Sequence, residues 1–445
     1  MRKLFGTDGI RGVAGSEIGC RDAVRIGEAL GRMLAEMGSR MRVCVGWDTR
    51  ISSEMLGAAI CSGLAAVGCE ALVLGTCSTP AIAYVTRSEG LGGGVVISAS
   101  HNPYEFNGIK VFGSDGMKLC DEMEERIEEI FFADEAEMAV GGGIGRIKYC
   151  PELLKKYKSF LYLCTERLDG MKIAIDCANG ATYSIAPELL RELGAECITI
   201  GCEPSGVNIN DGCGSTATKR LEEAVTQYKC DAGIALDGDG DRCIAVDEMG
   251  NVVDGDYIMA IFALKMKEEG RLNGNAVIVT VMTNLGFKRF CDENGIGFEA
   301  AAVGDRYVLE KMLERSYSLG GEQSGHIIMS DLATTGDGLL TAVSLISHVK
   351  KSGKRLSALA RVMKKYPQYT VNISADSEKK KALSSNVRIK SIIRYVEERL
   401  GASGRILVRA SGTEPLIRIM TESESVALAK ECCELAAREI EAALG

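Results

Sequence analysis

The fold is decided by the stretch GGVVISASHNP, residues 93–103. Its apolar centre, Val-Val-Ile, is β-branched and follows glycines, which is typical of a buried strand. The strand runs into polar residues that favour turns, and Pro103 prevents it from continuing. The pattern therefore predicts that the Ser100 hydroxyl stands at the tip of a rigid strand, where a nucleophile or phosphoryl carrier would be well placed. An ordinary polar loop is the alternative on these residues alone.

The composition is that of a globular protein. The 445 residues are 46% hydrophobic and 25% charged, and the length allows three or four domains of ~100–150 residues. The net charge of −9 argues against a nucleic-acid partner, and neither a membrane-spanning run nor a signal peptide is recognisable. The 17 cysteines include no Cys-x-x-Cys pair and lie mostly in apolar runs. We therefore predict a cytoplasmic protein with reduced thiols.

One order of predicted elements occurs three times along the chain. Each copy has a strand, a polar turn, a helix and a second strand, and two glycines seven residues apart close it. The copies begin at residues 43–46, 172–176 and 276–280. Such units imply right-handed crossovers and a mainly parallel sheet. The repeat predicts three similar α/β domains.

Domain boundaries are predicted where the repeat is interrupted, near residues 138–143 and 366–368. The acidic stretch 121–129 before the first boundary is expected to be a solvated helix face, and residues 426–444 form an amphipathic helix. The predicted domains are residues 1–150, 151–250, 251–366 and 367–445. The predicted fold class is α/β, with three similar mixed α/β domains and a smaller C-terminal α+β domain.

Each copy ends in a further strand and a polar loop. The loops are residues 98–103, 237–242 and 321–326. Ligands of open α/β sheets gather beyond the carboxyl ends of the strands. Three such loops facing one cleft would bring together a serine, a carboxylate cluster and a Glu, Ser and His set.

The second loop carries Asp237, Asp239 and Asp241 in alternation with glycines. Carboxylates at this spacing can converge on one hard cation, and Mg²⁺ held by few carboxylates completes its shell with phosphate oxygens and water. An EF-hand and a solvated acidic turn are the alternatives, but an EF-hand needs glycine where Arg242 stands, and its flanks must be helical. We therefore predict a magnesium-type phosphate site, with Arg242 neutralising a transferring phosphoryl group.

A second anion site is predicted near the C-terminus. It combines the Arg409 guanidinium, the Ser411 and Thr413 hydroxyls and the flexible backbone at Gly412, with Arg418 as a further candidate. Two phosphate sites and one metal indicate a doubly charged or bisphosphorylated ligand.

Two of the three histidines, His101 and His326, lie in the polar loops, whereas His348 lies in a helical stretch and is expected to be structural. His101 is an alternative phosphoryl carrier. Ser100 is preferred because a phosphoserine is chemically stable and its dianion can join the metal shell.

Over nearly its full length the chain resembles the α-D-phosphohexomutases. The motifs that carry the resemblance are FGTDGIRG (residues 5–12), the phosphoserine loop (98–103), the metal loop (237–242), the sugar loop (321–326) and the phosphate loop (409–414). Residues 206–210, 213–216, 303–308 and 335–338 resemble the subgroup that acts on glucosamine phosphates.

The resemblance implies four domains around one central cleft and an isomerase acting on a small sugar phosphate. Ser100 would be a phosphoserine, and one Mg²⁺ per subunit would be bound by Asp237, Asp239, Asp241 and a phosphate oxygen on Ser100. The phosphoryl group would pass to glucosamine 6-phosphate, and the 1,6-bisphosphate would turn around and release glucosamine 1-phosphate. A hexose 1,6-bisphosphate is the expected activator, and the product would feed UDP-N-acetylglucosamine and peptidoglycan precursor synthesis.

The resemblance also implies roles for individual residues. Lys110 and Arg242 are candidates for proton transfer and charge stabilisation, supported by Arg11 and His101. The sugar would be bound by Glu322, Ser324 and His326, with Asp305 or Glu322 pairing with the amino group. The non-reacting phosphate would be bound by Arg409, Ser411, Gly412, Thr413 and Arg418.

Two other interpretations stay open: a sister mutase of glucose or mannose phosphates, and a non-enzymatic calcium- or sugar-phosphate-binding protein. Ser100 beside a metal site disfavours the second, because binding alone needs no phosphoryl carrier. The oligomeric state is also open, with a homodimer as the option considered.

Overall fold

The computed structural model of the chain describes residues 4–6, 8–133, 137–411 and 415–445. These residues divide into two compact units. The first runs to Met282 and includes Ile296–Val362, and the second consists of Thr283–Gly295 and Met363–Gly445. None of the helices among these residues is long and apolar enough to cross a membrane.

The strands alternate with helices through most of the chain. The strands are β1 (Ile10–Val13), β2 (Arg42–Trp47), β3 (Glu70–Thr76), β4 (Gly93–Ile97), β5 (Phe106–Gly113), β6 (Ile147–Tyr149), β7 (Lys172–Asp176), β8 (Glu196–Ile200), β9 (Ala232–Leu236), β10 (Cys243–Asp247), β11 (Val252–Val253), β12 (Ala276–Thr280), β13 (Gly297–Ala301), β14 (Leu319–Gly321), β15 (Ile327–Met329), β16 (Gln368–Ser374), β17 (Gly404–Ala410) and β18 (Leu416–Ser423). The helices are α1 (Cys20–Glu36), α2 (Ser53–Ala66), α3 (Thr79–Ser88), α4 (Asp121–Ala133), α5 (Leu154–Leu163), α6 (Ile185–Glu192), α7 (Lys219–Tyr228), α8 (Gly255–Glu268), α9 (Leu285–Glu293), α10 (Asp305–Arg315), α11 (Gly338–Ser352), α12 (Leu356–Ala360), α13 (Ser377–Ser385), α14 (Val387–Leu400) and α15 (Val426–Leu444).

The first unit contains three sheets with a common strand order. The orders are β1-β5-β4-β2-β3-β6, β11-β10-β9-β7-β8 and β13-β12-β14-β15. Each has three adjacent parallel strands, β3-β2-β4, β8-β7-β9 and β13-β12-β14, followed by one antiparallel strand. The predicted threefold repeat of mixed α/β structure is therefore confirmed.

The expectation of mainly parallel sheets was incomplete, because β5, β10 and β15 run antiparallel to the strand before them. The connections into these strands are residues 98–105, 237–242 and 322–326. A parallel return needs a crossover of a dozen or more residues, so connections this short force the chain to turn back. The three polar loops are thus equivalent hairpin-like connections at the carboxyl ends of β4, β9 and β14.

Helix α4 is less solvated than its acidic sequence predicts. Glu124 and Glu128 are buried on the same face as Ile127 and Phe131, because i, i+3, i+4 and i+7 positions share one side of a helix. The Glu128 Oε1 accepts hydrogen bonds from the main-chain N–H groups of residues 4 and 5, at 2.8 Å each. The prediction of a solvated face was therefore wrong at these two positions.

The second unit contains the antiparallel sheet β16-β18-β17, which packs on α14 and α15. Its core includes Ile389, Val396, Ile417, Cys433 and Ile440, all buried. This confirms the predicted C-terminal α+β domain. Helix α9 also belongs to this unit.

Candidate active site

The Ser100 hydroxyl points at the metal loop. After β4 ends at Ile97, the chain turns and Ser100 takes φ +52°, a left-handed conformation that is uncommon for a residue with a side chain. The Ser98 Oγ accepts the main-chain N–H of Ser100 at 3.0 Å. The buried Ser100 Oγ then donates to Asp237 Oδ2 at 2.7 Å. The strained turn thus places a hydroxyl against a carboxylate of a different sheet.

The three aspartates of the metal loop form a compact buried cluster. Asp237, Asp239 and Asp241 each place one carboxylate oxygen within 4.8 Å of the others. In the part of the chain that the structure describes, Asp239 Oδ1 and Asp241 Oδ1 are buried without a hydrogen-bond partner. Burial and repulsion by the other two carboxylates raise the pKa of Asp237 above its ordinary value. Converging hard oxygens with unused lone pairs fit a divalent cation.

The first sheet supplies two groups to this cluster. Thr79, at the start of α3, donates its hydroxyl to Asp239 Oδ2 at 2.6 Å. Lys110, on β5 and 1% exposed, places its Nζ 2.8 Å from the same oxygen and 3.7 Å from Asp241 Oδ2. Burial disfavours the ammonium, but Asp239, Asp8 and Asp241 outweigh this and raise the pKa of Lys110 above its usual range. Lys110 is therefore a fixed positive charge beside the aspartate cluster.

Alternating charges continue from Lys110 toward the third sheet. The Lys110 Nζ is 3.5 Å from Asp8 Oδ2, and Lys118 pairs with Asp8 and, at 2.5 Å, with Asp305 Oδ2. His326 then lies between Asp305 and Asp241, with 3.7 Å from its Nε2 to the former and 3.5 Å from its Nδ1 to the latter. Asp305 therefore already has Lys118 as an ion-pair partner.

The other residues predicted to act with Ser100 are two arginines and one histidine. Arg242 Nε lies 4.0 Å from Asp237 Oδ2 and 3.9 Å from Asp241 Oδ1. Arg11 pairs with Asp8. Burial and the charges of Arg242 and Arg11 lower the pKa of His101 to about 4, so its imidazole is neutral at neutral pH.

The sugar loop lies directly beside the metal loop. The main-chain N–H of Cys243 donates to the Gly325 oxygen at 3.0 Å, and that of Gly338 donates to the Gly240 oxygen at 3.0 Å. Within the sugar loop, Glu322 Oε1 accepts the Gly304 N–H at 3.1 Å, and the Ser324 hydroxyl is 3.4 Å from Glu322 Oε2. The structure therefore brings the three predicted loops together within the first unit.

The predicted phosphate loop belongs to the second unit. Arg409 on β17 and Arg418 on β18 are register partners, and the Ser411 N–H donates to the Leu416 oxygen at 2.9 Å. Gly412 and Thr413 lie outside the described residues, as does Thr7 of the N-terminal motif.

Sequence reasoning missed several residues of the site. Asp8 and Lys118 join the charged chain, and Thr79 holds Asp239. Arg50 donates to main-chain oxygens of the Ser100 loop. Arg50 and Thr79 each follow the carboxyl end of a parallel strand, where loops carry ligands, and Asp8 lies in the motif of residues 5–12, so only Lys118 had no signal.

Comparison with known proteins identifies the family. Four domain families described as phosphoglucomutase/phosphomannomutase match the chain: alpha/beta/alpha domain I at residues 2–138, domain II at 148–250, domain III at 254–366 and the C-terminal domain at 350–439. Phosphoglucosamine mutase of Caldicellulosiruptor bescii is 51% identical over 100% of both chains. That of Brevibacillus brevis is 49% identical over 96% of both.

Solved structures share the fold. A phosphoglucomutase/phosphomannomutase family protein of Burkholderia thailandensis superposes with a TM-score of 0.83 at 23% identity, covering 100% of this chain and 98% of that one. N-acetylphosphoglucosamine mutase of Aspergillus fumigatus, in complex with GlcNAc-6P and magnesium, gives 0.72 at 15% identity, covering 100% and 96%.

The chain therefore belongs to the phosphoglucomutase/phosphomannomutase family and, within it, to the phosphoglucosamine mutases. The resemblance seen in the sequence and the prediction of a mutase are confirmed.

Proposed function

We propose that the chain interconverts glucosamine 6-phosphate and glucosamine 1-phosphate through a phosphorylated Ser100 and a 1,6-bisphosphate. The observation that carries the proposal is the 2.7 Å contact between the Ser100 hydroxyl and Asp237 of the buried cluster. A hydroxyl held against a cation site is suited to carry a phosphoryl group. Similarity over the full chain to phosphoglucosamine mutases supports the substrate.

Mg²⁺ is the proposed cation, one per subunit, held by Asp237, Asp239, Asp241 and a phosphate oxygen on Ser100. The unused oxygens of Asp239 and Asp241 support this assignment, and a structural neighbour contains magnesium with GlcNAc-6P. When bound, the ion neutralises the charge of the transferring phosphoryl group. A hexose 1,6-bisphosphate is the proposed activator, because an enzyme with an unmodified Ser100 must first be phosphorylated.

Several side chains of this protein are proposed to assist the phosphoryl transfer at Ser100. A new O–P bond forms to the sugar hydroxyl as the Ser100 Oγ–P bond breaks, and the proton that the sugar hydroxyl loses ends on the released Ser100 oxygen. Lys110 and Arg242 are the proposed groups for proton transfer and charge stabilisation, supported by Arg11 and His101. Two contacts support this assignment of Lys110 and Arg242. Lys110 is buried beside Asp239, and Arg242 lies within about 4 Å of two cluster carboxylates. Fixed charges of this kind need no reorganisation during the reaction.

Glu322, Ser324 and His326 are the proposed ligands of the sugar. Because Lys118 already pairs with Asp305, Glu322 is the better candidate of the two carboxylates for the C2 ammonium. The non-reacting phosphate is assigned to Arg409, Ser411, Gly412, Thr413 and Arg418. The register pairing of Arg409 with Arg418 supports a local concentration of positive charge.

The location and assembly are also part of the proposal. The 17 free cysteines support a reducing compartment such as the cytoplasm. There the product would feed UDP-N-acetylglucosamine and peptidoglycan precursor synthesis. A homodimer is a prediction that light scattering of the purified protein would test.

The experiment measures kcat/KM on glucosamine 6-phosphate, glucose 6-phosphate and mannose 6-phosphate, with Mg²⁺ and catalytic hexose bisphosphate. We expect a large preference for the amino sugar, loss of turnover in Ser100→Ala and full turnover in the control Ser62→Ala, an exposed helical serine. A preference for glucose or mannose phosphate would keep the mechanism and overturn the substrate. Absence of turnover in the primed wild-type protein would overturn the function.

A further inference from the structure

The backbone of the Ser100 loop is held by two side chains that the reaction scheme does not use. The main-chain oxygen of Ser100 accepts hydrogen bonds from Arg50 Nη2 at 3.0 Å and from Asn210 Nδ2 at 2.9 Å. The oxygen of Asn102 accepts from the same two nitrogens, at 2.9 Å and 3.1 Å. The carbonyl of Ser100 itself and that of Asn102 therefore each accept hydrogen bonds from two side chains.

Arg50 is fixed in place by its own partners. It is 2% exposed, and its Nε donates to Asp48 Oδ2 at 2.8 Å. The same Asp48 oxygen accepts the Ser98 hydroxyl at 2.6 Å, and Arg50 Nη1 also donates to the Pro103 oxygen. Arg50 lies in the connection between β2 and α2, and its truncation would leave the buried Asp48 carboxylate without its cationic partner.

Asn210 reaches the loop from the second sheet. It takes φ +60°, and its own N–H donates to the Ala178 oxygen at 2.8 Å. The segment that leads to it, residues 206–210, is tied to the first sheet because the Ile51 N–H donates to the Gly206 oxygen at 2.9 Å. The motif GVNIN, residues 206–210, thus places the Asn210 side-chain amide against the Ser100 loop. The sequence alone did not reveal this role.

The loop needs these donors for two physical reasons. A left-handed conformation at a serine is unfavourable, and it persists only where the surroundings enforce it. The carbonyls would also lose hydrogen bonds in a buried environment, which favours rearrangement of the backbone. Either change would turn the Ser100 hydroxyl away from Asp237.

We propose that Asn210 is a positioning residue for Ser100. Its amide, together with Arg50, holds the loop in the conformation that aims the hydroxyl at the metal loop. The inference rests on the proposed role of Ser100 as phosphoryl carrier.

The test uses Asn210→Gly in the full chain. Glycine accepts φ +60° without strain, so the variant loses the amide while the backbone conformation stays accessible. We expect phosphorylation of Ser100 by glucose 1,6-bisphosphate, followed by intact mass, to slow about tenfold, and kcat to fall similarly. KM for the sugar phosphate should change less, and the rates are measured at a temperature where unfolding curves show the variant to be folded. Amides of residues 100–106 should exchange hydrogen faster.

Two further variants sharpen the test. Asn210→Asp keeps the shape of the side chain but sets a carboxylate oxygen against the two carbonyl oxygens, so it should slow phosphorylation at least as much as Asn210→Gly. Asn275→Gly, at another left-handed asparagine with φ +50°, should leave phosphorylation unchanged. Wild-type phosphorylation and hydrogen exchange in Asn210→Gly or Asn210→Asp would overturn the inference. If wild-type Ser100 takes no phosphoryl group, the proposed function fails, whereas the exchange data still decide whether Asn210 holds the loop.

Discussion

The contact between Gly180 and Gly238 leads to a sharp prediction about Gly180→Ala. Gly180 follows β7, and a Cβ on it would lie 2.3 Å from the Gly238 oxygen and 2.6 Å from the Gly238 Cα. Both partners are main chain, so neither can rotate away. The adjacent Ala181 N–H already holds the same oxygen at 2.8 Å. An added methyl group must therefore push the two segments apart.

The size of the effect follows from these distances. Ordinary contacts of a Cβ begin at 3.4 Å, so the metal loop must shift by roughly 1 Å. Gly238 lies between Asp237 and Asp239, and the shift would move both carboxylates. A misplacement of about 1 Å in an active site costs on the order of 10²-fold in rate. The overpacking should also lower the free energy of unfolding by about 1–3 kcal/mol.

The assay measures kcat as a function of Mg²⁺ concentration, at a temperature where unfolding curves show the variant to be folded. We expect kcat about 10²-fold lower and a higher Mg²⁺ concentration for half-maximal rate. The control is Gly142→Ala, whose Cβ would meet no atom within 4 Å. Wild-type kcat and Mg²⁺ dependence in folded Gly180→Ala would refute the idea that this contact sets the position of the metal loop.

Three other predictions concern the site and its support. Lys110→Met should lower kcat by about 10²–10³-fold and change KM less, because it removes a fixed charge beside the reacting group; initial rates with unchanged kcat would contradict this. Glu128→Ala should lower the free energy of unfolding by about 1–3 kcal/mol in urea, since one buried and one partly buried main-chain N–H group lose their acceptor. Exposed Glu129→Ala should stay within about 0.5 kcal/mol. Chelation should abolish turnover and Mg²⁺ restore it, whereas Asp239→Asn should resist restoration; chelator-resistant turnover would argue against the metal site.

The central strands could be predicted from the sequence because burial on both faces leaves a continuous apolar signal. The predicted strands at residues 172–176 and 276–280 match β7 and β12 in both bounds. The antiparallel strands were not anticipated, although the short polar loops before them already excluded a crossover. The length of these loops was the signal that could have predicted the antiparallel strands. The residue pattern of a single strand does not show whether it runs parallel or antiparallel to its neighbour.

The Ser100 hydroxyl and the aspartates were recognisable because they directly follow strands whose carboxyl ends meet. Lys118 was not, since its partners Asp8 and Asp305 are 110 and 187 residues away in sequence and no local pattern marks such an ion pair. Glu124 and Glu128 show the converse: an acidic composition predicted solvation, while the helical period placed both on the buried face. Net charge describes a segment, but burial is decided position by position.

The metal loop is incomplete without the first sheet. Its carboxylates come from the connection after β9, yet Asp239 is held by the Thr79 hydroxyl and balanced by Lys110, and Asp237 accepts the Ser100 hydroxyl. Without Lys110 the three buried carboxylates would lose their closest counter-charge, and Arg242 approaches two of them only at about 4 Å. The repeat therefore places equivalent loops side by side, and the chemistry arises from their differences. The first sheet supplies the Ser100 hydroxyl and the Lys110 ammonium, and the second supplies the acidic cluster that faces them.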